Sequence, residues 1–276
     1  MFNLREIYHA RDPWVHKGQF GKLLVIGGSY WFTGSPWYNA MAALRAGVDL
    51  VYILAPERVS NILATAVPEM LTIPYPGSFL TPKQIPLIEE TIKKRRITAI
   101  VIGGGLGREK ITFAAVLKII ANLNLPMVID ADAIRTLQHE WKILQGKKAV
   151  LTPHADEFFQ LTGEFPKPEF EDRKEKVKRW SAALGVTLLL KGHIDVVSDG
   201  RQFYFYKGGS PFMTKGGFGD TLAGICGAIL ARGVAPFTAA CAACYINNKA
   251  GEMACQEYKE GVLASDIFQF IPKVIS

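Results

Sequence analysis

Short apolar runs alternate with amphipathic segments along most of this chain. The runs at 22–27, 50–55, 98–103, 127–130, 149–152 and 187–191 are apolar almost throughout. Strands that are apolar on both sides belong to a parallel sheet covered on both faces. Segments 36–46, 57–66, 82–95, 112–121, 131–138, 155–162 and 171–184 carry helical periodicity between them. Strand and helix in strict alternation predict an α/β architecture. Residues 194–198 and 202–206 flank Asp199-Gly200, which predicts a hairpin and an antiparallel edge to the sheet. With no linker, repeat or low-complexity tract, residues 1–276 read as one domain.

Composition narrows the partners. Hydrophobic residues make up 49% and charged residues 21%, the balance of a globular protein with a full core. The apolar region 222–246 is broken by Arg232 and Pro236 and predicts two packed helices, not a membrane span. No secretory leader pattern is visible at the start. The net charge of +7 favours anionic partners. The basic run Lys93-Lys94-Arg95-Arg96 falls on a helix face and reads as solvated, so small anions such as nucleotides are expected and nucleic acid is not. Cys226, Cys241, Cys244 and Cys255 lie in the apolar helical region and read as buried, reduced thiols of a cytoplasmic protein.

The candidate chemistry collects at strand ends, where open α/β sheets bind ligands. Gly27-Gly28, Gly103-Gly104-Gly105-Leu106-Gly107, Asp130-Ala131-Asp132, Pro153-His154 and Lys191-Gly192 each follow a strand. The densest signal is Lys215-Gly216-Gly217-Phe218-Gly219-Asp220, just ahead of a predicted helix at 221–232. Glycines entering a helix expose amides at its positive end and form an anion site. A carboxylate there repels phosphate, and makes sense if it takes a proton from a hydroxyl while the amides hold the transferring phosphoryl group. Its alternative role is an ordinary helix N-cap. No P-loop, complete GxGxxG, nucleophile elbow or HExxH is present.

Taken in order, these motifs resemble the ADP/ATP-dependent NAD(P)H-hydrate dehydratase family of the ribokinase-like superfamily. The likeness begins at His16-Lys17-Gly18-Gln19-Phe20-Gly21 and continues through Gly34-Ser35-Pro36 and the Gly103, Asp130, Thr152-Pro153-His154, Lys191 and Gly216 motifs. So little chain precedes His16 that the dehydratase without a fused epimerase is expected. The resemblance implies a three-layer ribokinase-like fold and nucleotide-dependent repair of hydrated NADH and NADPH, with ADP or ATP as co-substrate and Mg²⁺. Three departures stand out: Gly104 where the family has Pro, Ala155-Asp156 where it has Pro-Gly, and Phe218 where it has Thr.

The resemblance also assigns roles. Asp220 becomes the catalytic base, with Gly216, Gly217 and Gly219 as the anion hole. Ala40, Gly105, His154 and Asp220 match substrate-contacting positions; alone, Ala40 reads as helix packing, Gly105 as a turn and His154 as a local hydrogen bond at a helix start. Lys191, Gly192, His193, Ile194, Asp195 and Gly219 match the nucleotide-lining segment. Glu157 is a metal or phosphate candidate, against a solvated or capping role, and Asp130 and Asp132 are expected to cap a helix, with a charge role as the alternative. Phe218 is expected to tolerate replacement because its amide, not its ring, would face phosphate. A homo-oligomer is expected, with the apolar stretch 237–246 as interface. The alternatives are a kinase for a small alcohol such as a vitamin precursor, and a nucleotide-binding regulatory module.

Overall fold

The computed structural model describes residues 2–276. Nine strands form one sheet: β1 (Lys22–Ile26), β2 (Leu50–Pro56), β3 (Leu71–Tyr75), β4 (Ala99–Ile102), β5 (Met127–Ile129), β6 (Ala149–Leu151), β7 (Thr187–Leu190), β8 (Ile194–Ser198) and β9 (Phe203–Lys207). Their order is β3-β2-β1-β4-β5-β6-β7-β8-β9; all pairs are parallel except β7–β8 and β8–β9. Eleven α-helices accompany them: α1 (Leu4–Ile7), α2 (Ser35–Arg45), α3 (Glu57–Ala66), α4 (Ile85–Arg95), α5 (Lys110–Asn122), α6 (Asp132–Arg135), α7 (Ala155–Thr162), α8 (Phe170–Leu184), α9 (Phe218–Ala231), α10 (Pro236–Tyr258) and α11 (Ile271–Ile275).

Strand alternation explains the three layers. In β1, Leu23 and Val25 join one core with residues of α2, α3, α9 and α10, while Leu24 and Ile26 join a second core with residues of α4, α5, α7 and α8. Both faces are buried, as the uninterrupted apolar runs require. The layer of α2, α9 and α10 packs closely because α9 is rich in Gly and Ala. A Cβ added at Gly224 would stand 2.1 Å from the backbone oxygen of Asn39, so only glycine lets α2 and α9 meet there.

The six predicted parallel strands and the hairpin appear within a residue or so of their expected bounds. One strand was not legible: β3 is an edge strand that contains Pro74 and leaves Leu71 exposed, so it lacks both the apolar run and the donor pattern of an interior strand. Segment 131–138 is helical only over α6 and then continues in turns. The stretch 237–246 is not a free apolar face. Residues 239–244 and Ile246 are buried in this chain's own core, which withdraws the reason given for an oligomer interface. All four cysteines are buried and unpaired. Among the described residues no helix is long and apolar enough to cross a membrane.

Chain direction places the site. From β1 the chain runs outward to β2 and β3, then returns to add β4 on the other side of β1. The connections therefore diverge between the carboxyl ends of β1 and β4, opening a crevice. The amide of Gly28 donates to the carbonyl of Gly104 at 2.9 Å and ties the two loops together at its floor.

Candidate active site

Two cavities meet over these strand ends. The larger, about 840 Å³, is lined by Asp130, His154, Glu157, the 191–193 turn, Asp195 and the 208–220 segment apart from Phe212. The smaller, about 640 Å³, is lined by Ser29, Trp31, Phe32, Phe79, Gly105, Arg108 and Asp132. Ser35, the first residue of α2, belongs to both.

The glycine loop opens α9 and forms the candidate anion site. Gly217, at φ 101°, is the cap of α9, and a Cβ there would lie 2.7 Å from the Ala264 Cβ. Any other residue would be strained in conformation and crowded in space. No side chain caps the helix, and its first intrahelical bond is Thr221 N–H to the Gly217 carbonyl. The amides of Phe218, Gly219 and Asp220 are thus the orphan donors of the first turn. Gly216 is exposed beside them.

Asp220 is the third residue of α9, so the N-cap reading of this carboxylate does not hold. Its backbone carbonyl accepts from Asn39 Nδ2 at 2.7 Å, which locks α2 to the first turn of α9. Burial, with the charge of Asp130 adding to it, pushes the Asp220 carboxyl up to about 7, against the pull of Lys191 and a hydrogen bond from Ser35. A carboxyl poised there can accept a proton at neutral pH.

Lys191 stands at the centre of the charges. Its Nζ donates to Asp130 Oδ1 at 3.0 Å and lies 3.8 Å from Glu157 Oε2. A Cβ added to Gly219 would come within 3.2 Å of the same ammonium, so the cation flanks the anion site. Burial alone would lower the Lys191 pKa, but Asp130 and Glu157 outweigh it and hold the ammonium charged. Asp130 Oδ1 also accepts from Thr152 Oγ1 at 2.7 Å. Ala131 sits at φ 48°, a strained conformation for a non-glycine residue that aims Asp130 inward. Asp132 accepts instead from the Gly107 amide at 3.0 Å. Neither aspartate caps α6, contrary to the expectation from sequence: both carboxylates are used across the strand ends.

His154 is the N-cap of α7. Its Nδ1 accepts from the amides of Asp156 and Glu157 at 3.1 and 3.3 Å, while Glu157 Oε2 accepts the His154 amide at 2.9 Å. Glu157 therefore closes a capping box, yet it is buried rather than solvated and faces Lys191. His154 lines the larger cavity, and its Nε2 lies 3.4 Å from Glu157 Oε1. Gly105 lies in the smaller cavity, and Ala40 is wholly buried in the α2 layer and lines neither. The four expected substrate positions are thus spread over the two cavities and the core beside them.

The 191–195 turn is braced from behind. Asp195 is buried, with one oxygen taking the Gly192 amide at 2.7 Å and the other Asn248 Nδ2 at 2.7 Å. Arg173 donates to the carbonyls of Ile194 and Lys191, both at 3.0 Å. Asp195 thus acts by shaping the turn that presents Lys191, Gly192 and His193. Sequence reading missed Ser35 as a partner of Asp220 and Asn247 and Asn248 as lining residues; the signal was two adjacent amides in an otherwise Ala-rich helix.

Phe218 separates two roles that the sequence joined. Its ring is only 5% exposed and packs in the α2–α9–α10 core, while its amide belongs to the anion site. Phe218→Thr is expected to destabilise the fold by about 3 kcal/mol and leave kcat within about tenfold. Denaturant unfolding and steady-state kinetics on the same sample check both halves; a larger loss of kcat would give the ring a direct part.

A mostly parallel sheet with an antiparallel edge and helices on both faces defines a ribokinase-like fold. The solved structure of the ADP/ATP-dependent NAD(P)H-hydrate dehydratase of Bacillus subtilis, co-crystallised with ATP and Mg²⁺, superposes with a TM-score of 0.80 over 99% of this chain and 98% of that one, at 25% identity. Residues 23–273 match the model of the NAD(P)H-hydrate dehydratase family, and the chain belongs to that family. It is 37% identical, over 99% of its length and 94% of the relative's, to the ADP-dependent (S)-NAD(P)H-hydrate dehydratase of Cenarchaeum symbiosum. It is 40% identical over 261 residues to the bifunctional NAD(P)H-hydrate repair enzyme of Pyrobaculum aerophilum. The chain spans about half the length (51%) of that bifunctional relative.

Proposed function

We propose that this chain dehydrates the hydrated forms of NADH and NADPH at the expense of ADP or ATP. The observation that carries the reading is the meeting of two cavities at Ser35, beside one carboxyl poised near neutrality and one helix N-terminus. The larger cavity takes the adenine nucleotide, with its terminal phosphate on the amides of Phe218 and Gly219 and beside Lys191. The smaller takes the hydrated nicotinamide, whose hydroxyl then faces Asp220.

The chemistry follows from the leaving group. Hydroxide leaves a ring carbon poorly at neutral pH. Asp220 removes the hydroxyl proton as the oxygen attacks the terminal phosphorus, and the bond from that phosphorus to the nucleotide breaks. The ring nitrogen's lone pair then expels inorganic phosphate, and loss of a proton from the neighbouring carbon restores the reduced ring. The amides and Lys191 hold charge that grows on the transferring oxygens.

Magnesium fits this donor set in one way only. No cluster of three or more His, Cys, Asp or Glu residues that could hold a metal occurs among the described residues, which rules out a cage built of protein alone. Mg²⁺ is commonly held by phosphates and waters with one or two carboxylates, and Glu157 and Asp130 would hold it in that way, neutralising phosphate charge. The buried thiols suit a reducing cytoplasm.

The test is to offer hydrated NADH and hydrated NADPH with each nucleotide, and to follow phosphate release and the return of reduced-nicotinamide absorbance together. Both signals at equal rates support the reading, whereas a stable phosphorylated product would make the protein a kinase. The pH profile should show the base. Asp220 acts ionised, so kcat/KM should climb with pH to a plateau above about 7 and fall roughly tenfold per unit below it. A limb centred near 4 would remove Asp220 as that base.

A further inference from the structure

We propose that the aromatic loop after β1, with Arg108, is the subsite for the adenosine end of the hydrated dinucleotide. The inference rests on the reading above and extends it to the half of the substrate that does not react. With the nicotinamide ring at Ser35 and Asp220 and the larger cavity holding the nucleotide, the smaller cavity, which shares Ser35, is the space that continues from the ring for the long diphosphate arm.

The outer wall of that cavity has the chemistry such an arm needs. Trp31 is 77% exposed, an unusual state for tryptophan, and Phe32 is also exposed beside it. Both line the cavity with Phe79 and Arg108. The Trp31 ring packs perpendicular to that of Tyr30, with centroids 4.9 Å apart and planes at 85°. Tyr30 is pinned in turn by Arg58, which donates Nη1 to its carbonyl at 3.0 Å and lies over its ring. A tryptophan braced by perpendicular aromatic packing and mostly open to solvent offers a stacking platform for a purine. Arg108 is largely exposed and lies 3.8 Å from Asp132, too far for a tight pair; its guanidinium is free to turn to a phosphate. Deeper in the wall, the Ser29 hydroxyl is wholly buried with no hydrogen-bond partner among the described residues. It supplies a polar contact for a ligand that fills the cavity.

Trp31→Ala and Arg108→Ala test the subsite, since both side chains are exposed and their loss leaves the core untouched. Each is expected to raise KM for hydrated NADH about tenfold, with kcat and the KM for the nucleotide unchanged. Hydrated reduced nicotinamide mononucleotide, which lacks the adenosine end, should show the same KM with Trp31→Ala as with wild type. A titration of NADPH, read by tryptophan fluorescence or calorimetry, should show about tenfold weaker binding to Trp31→Ala. Wild-type turnover with unchanged KM and NADPH affinity in both variants would overturn the subsite and leave the activity standing. No turnover by wild type would sink the activity, and equal NADPH binding by Trp31→Ala would then overturn the subsite separately. A change in sedimentation of Trp31→Ala would assign the aromatic rim to contact with a second copy, and would also overturn it.

Discussion

Asp220→Asn is expected to lower kcat by about 10²–10⁴ while making the protein without ligand more stable at alkaline pH. The substitution keeps the shape and removes the base. Nucleotide affinity should hold or improve, because the phosphate site is built from amides and a negative charge beside it is gone. The stability change follows from the same carboxyl. Its pKa is raised from the ordinary carboxylate range to about 7 by burial and Asp130, so the folded state resists its ionisation. The unfolded chain ionises near 4. The resulting penalty grows from about pH 4, is complete above about pH 7, and amounts to roughly 4 kcal/mol at most. Asparagine has no such penalty. Thermal unfolding at pH 8 should favour Asp220→Asn by several degrees, and the advantage should shrink toward pH 4.5. Turnover near wild type, or a variant that fails to fold, would leave Asp220 a structural residue.

Lys191→Ala is expected to act in the opposite direction on stability and in the same direction on turnover. The ammonium balances Asp130 and Glu157, whose side chains are 3% and 6% exposed. Removing it leaves two carboxylates buried together, and breaking a buried pair in this way costs about 3–5 kcal/mol. For a chain of this size that is a fall of roughly 10 °C in Tm. Activity should drop as well, because the only cation beside Gly219 from this cluster is lost. Lys191→Ala combined with Asp130→Asn separates the two effects. The double variant should regain much of the stability and none of the turnover. Recovery of turnover would show that Lys191 serves charge balance alone, and an unchanged Tm in the single variant would show that the two carboxylates are hydrated.

The glycine-rich start of α9 and the aspartate beside it were legible from sequence because both are local. Gly216, Gly217 and Gly219 mark a helix start, whose free amides are those of Phe218, Gly219 and Asp220. The six interior strands were legible for the same reason: a strand buried on both faces must be apolar along its whole length. What joins these pieces is not local. Asp130 and Lys191 are 61 residues apart and meet only because β5 and β7 lie on either side of β6. In sequence Asp130 and Asp132 sit at a helix start and read as caps; in space their carboxylates cross to Lys191 and to the Gly107 amide. Phe218 shows the same limit within one residue, where the motif describes an amide and the fold decides that the ring belongs to the core. The pKa of Asp220 is likewise a tertiary property, since it is raised by burial and by the charges of Asp130 and Asp132, which follow β5 far along the chain. The sequence by itself thus determined where the interior strands lie and where a glycine-rich helix start sets a carboxylate among free amides, because local conformation controls them. Only the tertiary structure decided which charges are paired, how the proton affinity is set and where two cavities adjoin, because those depend on distances between strands that the chain order does not contain.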